Sequence, residues 1–302
     1  METLAIVLER PRAIGTRKVS LTPPADDDVV VEVTHSAISS GTERMLWDGS
    51  MPPFPGLSYP LVPGYETVGR IADGPRAGEP VFVPGARCFT DVSALFGGSA
   101  AHLVVPTDRA IPVASARAEF TLLSLAATAH HAIARGGLPD RIVGHGVLGR
   151  LIARIAVALG GAPVVHEIRA SRRQGATGYT VLAPGDDDAQ VGHIIDASGA
   201  DDIIDAAVPR LQKGGKLTLA GFYSARMSFA FPAAFMKEIS LILAAEWAPP
   251  DLAAVRELID AGRLSLDGLV THQATPADAA DAYTTAFTDP DCLKLVLNWR
   301  PS

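Results

Sequence analysis

Residues 140–167, DRIVGHGVLGRLIARIAVALGGAPVVHE, decide the fold. The short run Arg141 to Val143 ends in Gly144-His145-Gly146-Val147-Leu148-Gly149, a G-x-G-x-x-G. A helical pattern follows, with Leu148, Leu151, Ile152, Ile155 and Leu159 recurring at spacings of three and four, which sets one apolar stripe against a sheet. Gly160-Gly161 closes that helix, and Pro163 to Glu167 reads as the next strand, ending in an acid. Strand, glycine turn, helix, strand and acid form the βαβ unit of a dinucleotide site. Gly144 permits the tight turn, Gly146 lets backbone N–H groups approach a pyrophosphate, and Gly149 lets the helix lie close to the strand. The helix N-terminus, from Val147 and Leu148 on, offers partial positive charge to the phosphates.

Outward from this unit the chain changes character. Residues 1 to about 115 are rich in Gly, Pro and short strands, with candidates at Leu4–Leu8, Val29–Thr34, Val68–Ile71, Pro80–Val83 and His102–Val105. That composition predicts a small, mostly β, barrel-like domain. A helix is expected over Glu119–Ala134, leading into the nucleotide unit. Beyond it come strands at Tyr179–Leu182 and His193–Asp196, a helix over Asp201–Leu211, a tight turn at Lys213-Gly214-Gly215, and strands at Lys216–Ala220 and Leu241–Ala244. Such alternation makes a doubly wound parallel sheet with helices on both faces. A helix over Leu252–Ala261, a strand at Leu269–His272, a helix over Pro276–Phe287 and a closing strand in 292–299 complete the reading, the last returning to the N-terminal domain.

Composition narrows the function classes. The chain has 302 residues, 48% of them apolar and 20% charged, enough for two domains with sizeable cores. A net charge of −7 without a basic run argues against nucleic acid as a partner. No segment has the length of a membrane span and the N-terminus lacks the pattern of a signal peptide, so the expected location is the cytoplasm. The two cysteines, Cys88 and Cys292, read as reduced thiols.

Several positions are candidates for chemistry. Glu167, at the end of the second strand, is placed to accept the ribose hydroxyls of NAD and to repel a 2′-phosphate. Arg169, Arg172 and Arg173 lie just beyond and would attract one; the acid favours NAD. Asp196-Ala197-Ser198-Gly199 ends a parallel strand, where open α/β sheets place their ligands. Ser198 and Gly199 either line the cofactor groove or form a local cap, and Gly221, after the following strand, carries the same ambiguity.

The N-terminal half carries Ser40-Gly41-Thr42-Glu43 and Val62-Pro63-Gly64-Tyr65-Glu66-Thr67-Val68-Gly69. With VGHGVLG, HIIDASG, KGGKLTLAGF, LVTHQ and KLVL, these strings resemble the medium-chain dehydrogenase/reductase superfamily from end to end. The resemblance implies a GroES-like β-barrel catalytic domain over 1–118, completed by 262–302, and a Rossmann domain over 119–261. It also implies a homodimer through the Rossmann sheet edge, at the apolar Leu241–Ala244 strand.

The departures matter as much. Zinc enzymes of the superfamily carry C-x-[ST]-D and G-H-E, whereas this chain has Ser40 and Tyr65 at the ligand positions and only apolar residues at 125–127. A serine hydroxyl and a phenol are not zinc ligands at neutral pH, so the expectation is a zinc-free enzyme. Thr42 matches the family's relay hydroxyl, and Tyr65 is either part of that relay or a packed aromatic. Glu66 is expected to orient its neighbours, and His35, His130 and His131 are secondary relay candidates.

Longer strings, among them MPPFPG, YPLVPGYE, SFAFPAAFMKE and FTDPDCLKLVLNW, resemble the branch that oxidises the hydroxyethyl group of a bacteriochlorophyll precursor to acetyl. That resemblance implies a tetrapyrrole substrate and NAD as hydride acceptor. Positive charge developing at a carbon beside a conjugated ring is delocalised, which lessens the need for a Lewis acid. The alternatives are a zinc-independent NADPH quinone or enoyl reductase, and a non-catalytic dinucleotide-binding sensor or pigment carrier.

Overall fold

Alternation of strand and helix after residue 140 produces a six-stranded sheet in which every neighbouring pair is parallel. Its order is Thr180–Leu182, Val164–His166, Arg141–Val143, Val191–Asp196, Leu211–Leu219 and Ser240–Leu243. The chain therefore leaves the central strand Arg141–Val143 in one direction first and returns on its other side. The turns after Arg141–Val143 and Val191–Asp196 open at this reversal, the crevice where such sheets bind ligands. The computed structural model describes residues 1–223 and 226–300, so residues 301 and 302 of the C-terminal segment lie outside the described residues.

The chain divides into two units, Met1–Ser124 with Asp267–Ser302, and Leu125–Leu266. In the second, the helix Val147–Ala158 buries Leu151, Ile152, Ile155 and Ala156, the residues its 3.6-residue period places on one face. Across the sheet, Ile203, Ile204, Val208, Leu217 and Leu219 form a further core with Ala234.

In the first unit, Asp28–Ile38 is the longest strand, and it pairs antiparallel with Thr67–Ile71, His102–Pro106 and Leu295–Asn298. The C-terminal strand thus returns to the N-terminal domain, and His272–Ala274 joins it in parallel. A second sheet orders Ala13–Ser20, Glu2–Arg10, Leu61–Val62 and Ser93–Ala94. Val7, Val19, Val31, Val33, Val81, Val83, Leu103 and Val105 pack together as one core drawn from both sheets.

Several elements differ from expectation. The helix expected over 201–211 is α-helical only at Ile203–Ala207 and tightens into a 3₁₀ turn, Val208–Arg210. Pro209 has no amide hydrogen, so the α-helical bond from residue 209 back to the Asp205 carbonyl cannot form. Lys213-Gly214-Gly215 is not a turn before a strand but part of Leu211–Leu219, with Gly214 in the left-handed region (φ 75°) where the pairing register shifts. The strand expected at 269–272 forms at His272–Ala274, where Leu295–Leu297 supplies its partner. Ala13–Ser20 was hidden because only Val19 is fully buried along it, and the seven-residue helices Thr42–Asp48 and Phe231–Lys237 are too short to show a period.

Close approach at the glycine turn gives a direct test. A Cβ on Gly149 would lie 1.9 Å from the Gly144 carbonyl oxygen, whereas one on Gly15 would meet nothing within 4 Å. Gly149→Ala is expected to lower unfolding free energy by ~1–3 kcal/mol, the usual cost of overpacking. Gly15→Ala should stay within about 0.5 kcal/mol of the parent. Urea denaturation followed by circular dichroism separates the two; equal effects would mean that the helix shifts freely.

Candidate active site

The candidate residues fall into two groups, one in each unit. In the second unit the glycine turn has one closed and one open side. Gly144 (φ 96°) packs so that a Cβ would lie 3.0 Å from the Ser198 backbone, joining the two turns of the crevice. A Cβ on Gly146 would meet only the Arg172 guanidinium, at 3.8 Å. Gly146 also precedes Val147–Ala158 without any side-chain cap, so the first backbone N–H groups of that helix are left for another acceptor. Open space above a glycine, helix N–H groups and a guanidinium fit a pyrophosphate.

Glu167 is buried, and its carboxylate is held from both sides. Oε2 accepts from the His145 backbone N–H at 2.8 Å and Oε1 from the Arg169 N–H at 2.8 Å. The second strand is thereby tied to the glycine turn, and each oxygen retains a further lone pair for a ribose hydroxyl. Arg173 folds back to donate to the Glu167 and Ile168 carbonyls at 2.8 and 2.9 Å.

His145 points inward. Its Nδ1–H donates to the Arg172 carbonyl at 2.6 Å, which leaves Nε2 to accept from the Tyr179 hydroxyl at 2.8 Å. Burial lowers its pKa to about 4, opposed by the bond to the Arg172 carbonyl, so the ring is neutral at pH 7. Arg150, on the second turn of the helix, donates to the carbonyls of His145, Arg172, Gln174 and Gly175 at 2.7–3.1 Å.

The second turn of the crevice is organised by buried Asp196. It accepts from the Ser198 hydroxyl at 2.6 Å, from the Ser198 and Gly199 N–H groups at 3.1 and 3.2 Å, and from the Tyr223 phenol. The Ser198 hydroxyl also accepts from Ala200 N–H at 3.2 Å, so it works inside its own turn, and Gly199 supplies a left-handed residue (φ 71°). Gly221 lies against the Tyr223 ring, from which a Cβ would stand 3.6 Å.

In the first unit a chain of hydroxyls surrounds Tyr65. Its phenol lies 2.6 Å from the Ser39 hydroxyl and is also hydrogen-bonded by Thr42. Ser39, buried at the end of the long strand, takes this place; Ser40, the residue singled out from the sequence, is exposed. Burial first, then the charges of Glu66 and Glu43, push the Tyr65 pKa up, so the phenol stays protonated.

Beneath it lie two buried carboxyls. Glu66 Oε2 accepts from Lys294 Nζ at 2.7 Å, both side chains being almost wholly buried, while Glu66 Oε1 has no hydrogen-bond partner among the described residues. Burial raises the Glu66 pKa and Lys294 opposes the rise. Glu43 accepts from the Ser39 N–H at 3.2 Å and from the Tyr283 phenol at 2.9 Å. Its pKa is raised to about 8, by burial first and then by Glu66. Neither Lys294, Tyr283 nor Ser39 was singled out from the sequence, since nothing in their spacing brings them to Tyr65 and Glu66.

The secondary relay candidates each have hydrogen-bond partners of their own. His35 Nδ1 bonds the Ala116 carbonyl and the Thr34 hydroxyl at 3.1 and 3.2 Å. His130 and His131 both bond Asp251, each at 2.8 Å. Among the described residues no cluster of three or more His, Cys, Asp or Glu could hold a metal ion, and no helix is long and apolar enough to cross a membrane.

A GroES-like β unit joined to a Rossmann sheet is the architecture of the medium-chain dehydrogenases/reductases. An Escherichia coli alcohol dehydrogenase solved with NADH superposes with a TM-score of 0.84 over 99% of both chains, at 20% identity. No family model matches the chain. Its sequence is 52% identical over 311 residues to a 2-desacetyl-2-hydroxyethyl bacteriochlorophyllide A dehydrogenase of Rhodobacter capsulatus, covering 99% of each. It is 50% identical over 315 residues to the protein of the same name in Cereibacter sphaeroides, again covering 99% of each. The chain belongs to the 2-desacetyl-2-hydroxyethyl bacteriochlorophyllide A dehydrogenase family.

Glu43 gives this site a pH signature. Its pKa is about 8 in the folded protein against an ordinary 4.5. The unfolded chain therefore releases this proton first. The stability tied to it is fully present below pH 4.5 and is lost as pH rises to about 8. Glu43→Gln should remove that slope, so that the variant gains on the parent as pH rises across the window. Urea midpoints of both proteins at four or five pH values measure the difference, and a constant gap would place the proton elsewhere.

Proposed function

We propose that the protein oxidises the hydroxyethyl group of a bacteriochlorophyllide a precursor to acetyl, with NAD as hydride acceptor and without zinc. The observation that carries this reading is the Tyr65 phenol, hydrogen-bonded by Ser39 and Thr42, at a position where zinc relatives bear a ligand. The names of the two relatives at 50% and 52% identity support the substrate.

The dinucleotide, when bound, supplies the hydride acceptor. The glycine turn, Arg172 and the helix N–H groups suit its phosphates. Glu167, a fixed carboxylate at the strand end, favours the ribose diol of NAD over a 2′-phosphate. Loss of hydride from the carbinol leaves a protonated carbonyl, whose proton has to depart. A phenol with a raised pKa is a poor anion, so Tyr65 acts as a neutral relay. It accepts the substrate proton as its own passes to Ser39 or Thr42. Half-buried Thr42 gives such a chain an outlet. Zinc does not fit: Ser40 is an exposed hydroxyl, Tyr65 a protonated phenol, and Glu66 is already paired with Lys294.

The experiment is direct. Incubating the protein with hydroxyethyl bacteriochlorophyllide and NAD should shift the long-wavelength pigment band and accumulate NADH. NADP should react more slowly, and EDTA should leave the rate unchanged. Tyr65→Phe should lower the rate at saturating substrate by ~10²-fold, with Thr42→Val less severe. Spectral broadening without NADH would instead favour a pigment carrier, and turnover with NADPH and a quinone would favour a reductase.

The active form is a homodimer in this reading. Ser240–Leu243 is the last strand of the parallel sheet, with Leu241 42% and Leu243 64% exposed. Phe231, Phe235 and Met236, on the preceding helix, are 63–71% exposed. An apolar strand at a sheet edge pairs with a second copy of itself about a two-fold axis. Light scattering should give twice the chain mass of 31.5 kDa for the parent and a single chain for Leu243→Lys. A monomeric parent would refute it.

A further inference from the structure

The segment following the second strand of the Rossmann sheet carries Arg169, Arg172 and Arg173 and has little regular structure, one 3₁₀ turn over Ala170–Arg173. Its backbone is nevertheless held at three carbonyls by side chains from below. Arg150 reaches the carbonyls of Arg172, Gln174 and Gly175 and, with the same guanidinium, the carbonyl of His145 in the glycine turn. His145 adds its Nδ1–H to the Arg172 carbonyl at 2.6 Å, and Tyr179 fixes the opposite ring nitrogen at 2.8 Å while packing edge-on against the ring. The Arg172 carbonyl therefore receives two donors, and its guanidinium stands over Gly146.

We infer that His145, Arg150 and Tyr179 are positioning residues that set affinity for the adenylate half of the dinucleotide, by holding Arg172 over the glycine turn. This rests on the dinucleotide reading above. His145 stands within the glycine motif yet faces away from the ligand side, toward Arg172 and Tyr179. It links the phosphate turn and the arginine segment into one body. A donor at Nδ1 and an acceptor at Nε2 are both required, which a neutral imidazole supplies in one tautomer. An aliphatic residue in the same slot could pack but would leave the Arg172 carbonyl with one donor and the Tyr179 hydroxyl without its acceptor.

The test uses ADP-ribose, which contains the adenylate half and the pyrophosphate but no nicotinamide, titrated calorimetrically into the full-length protein. Arg172→Ala should weaken ADP-ribose by roughly tenfold, the scale of one charge-assisted contact. His145→Leu should weaken it by a similar factor, and Tyr179→Phe by less. Combining His145→Leu with Arg172→Ala should add little to Arg172→Ala alone, since both act through one guanidinium. In turnover, the loss in His145→Leu should fall on KM for NAD and not on KM for the pigment. Should His145→Leu fail to fold, Tyr179→Phe carries the test, and His145→Asn, which keeps a donor toward the Arg172 carbonyl, should bind ADP-ribose nearly as the parent does. Unchanged ADP-ribose binding in His145→Leu and Tyr179→Phe, a roughly tenfold loss in His145→Asn, or fully additive losses with Arg172→Ala, would overturn the positioning role alone. A parent protein that binds neither ADP-ribose nor NAD would overturn the dinucleotide reading itself, and with it this inference.

Discussion

The contact on which the Rossmann unit depends is the approach of Gly149 to the Gly144 carbonyl, too close for any side chain. It brings the first turn of Val147–Ala158 down onto the strand that feeds it, so that the helix N–H groups open on the crevice. Gly144 in turn lies against Ser198, so the turns after two adjacent strands are fixed to each other as well. Glu167 closes the arrangement from the next strand by accepting the His145 N–H. Three strand ends are thus held in one geometry by backbone contact and one carboxylate, and the ligand side needs little local adjustment.

The GroES-like unit works from a different constraint, the burial of charge. Glu66 and Lys294 are separated by 228 residues in sequence and meet at 2.7 Å. An ion pair so deeply buried is weak evidence for stability, but removing one partner leaves an uncompensated charge and is strongly destabilising. The C-terminal segment is therefore chemically required by the N-terminal one, beyond the strand pairing of Leu295–Asn298 with Asp28–Ile38. The same carboxylate raises the pKa of Tyr65 and of Glu43, which keeps this interior in its protonated, hydrogen-bonding state.

The parallel sheet was legible because its signals are local: a glycine motif, a 3.6-residue period and an acid at fixed distance. So were the strands at Pro80–Val83 and His102–Pro106, bounded by turn residues. Thr42, Tyr65 and Ser40 were named from resemblance to the superfamily's motifs, whereas the hydroxyl 2.6 Å from the Tyr65 phenol is that of Ser39. Which of two adjacent serines faces inward depends on where the long strand ends, not on composition. Lys294 and Tyr283 escaped notice because their partners are distant in sequence, and a lone lysine or tyrosine carries no local mark of burial. The helix over Phe231–Lys237 was missed for another reason, its seven residues being too few to show a period.

The pair His130 and His131 has a mechanical consequence. Adjacent residues on a helix point about 100° apart, yet both imidazoles reach one carboxylate, Asp251, each through Nδ1. Asp251 also accepts the Ala248 N–H, in the first turn of Pro249–Asp260. The carboxylate therefore sits at a fork from which it can neither slide along the helix Leu123–Gly136 nor rotate around it without losing one of its two rings. A single aspartate thereby acts as a two-pronged pin, setting the axial and the angular register of one helix against the other.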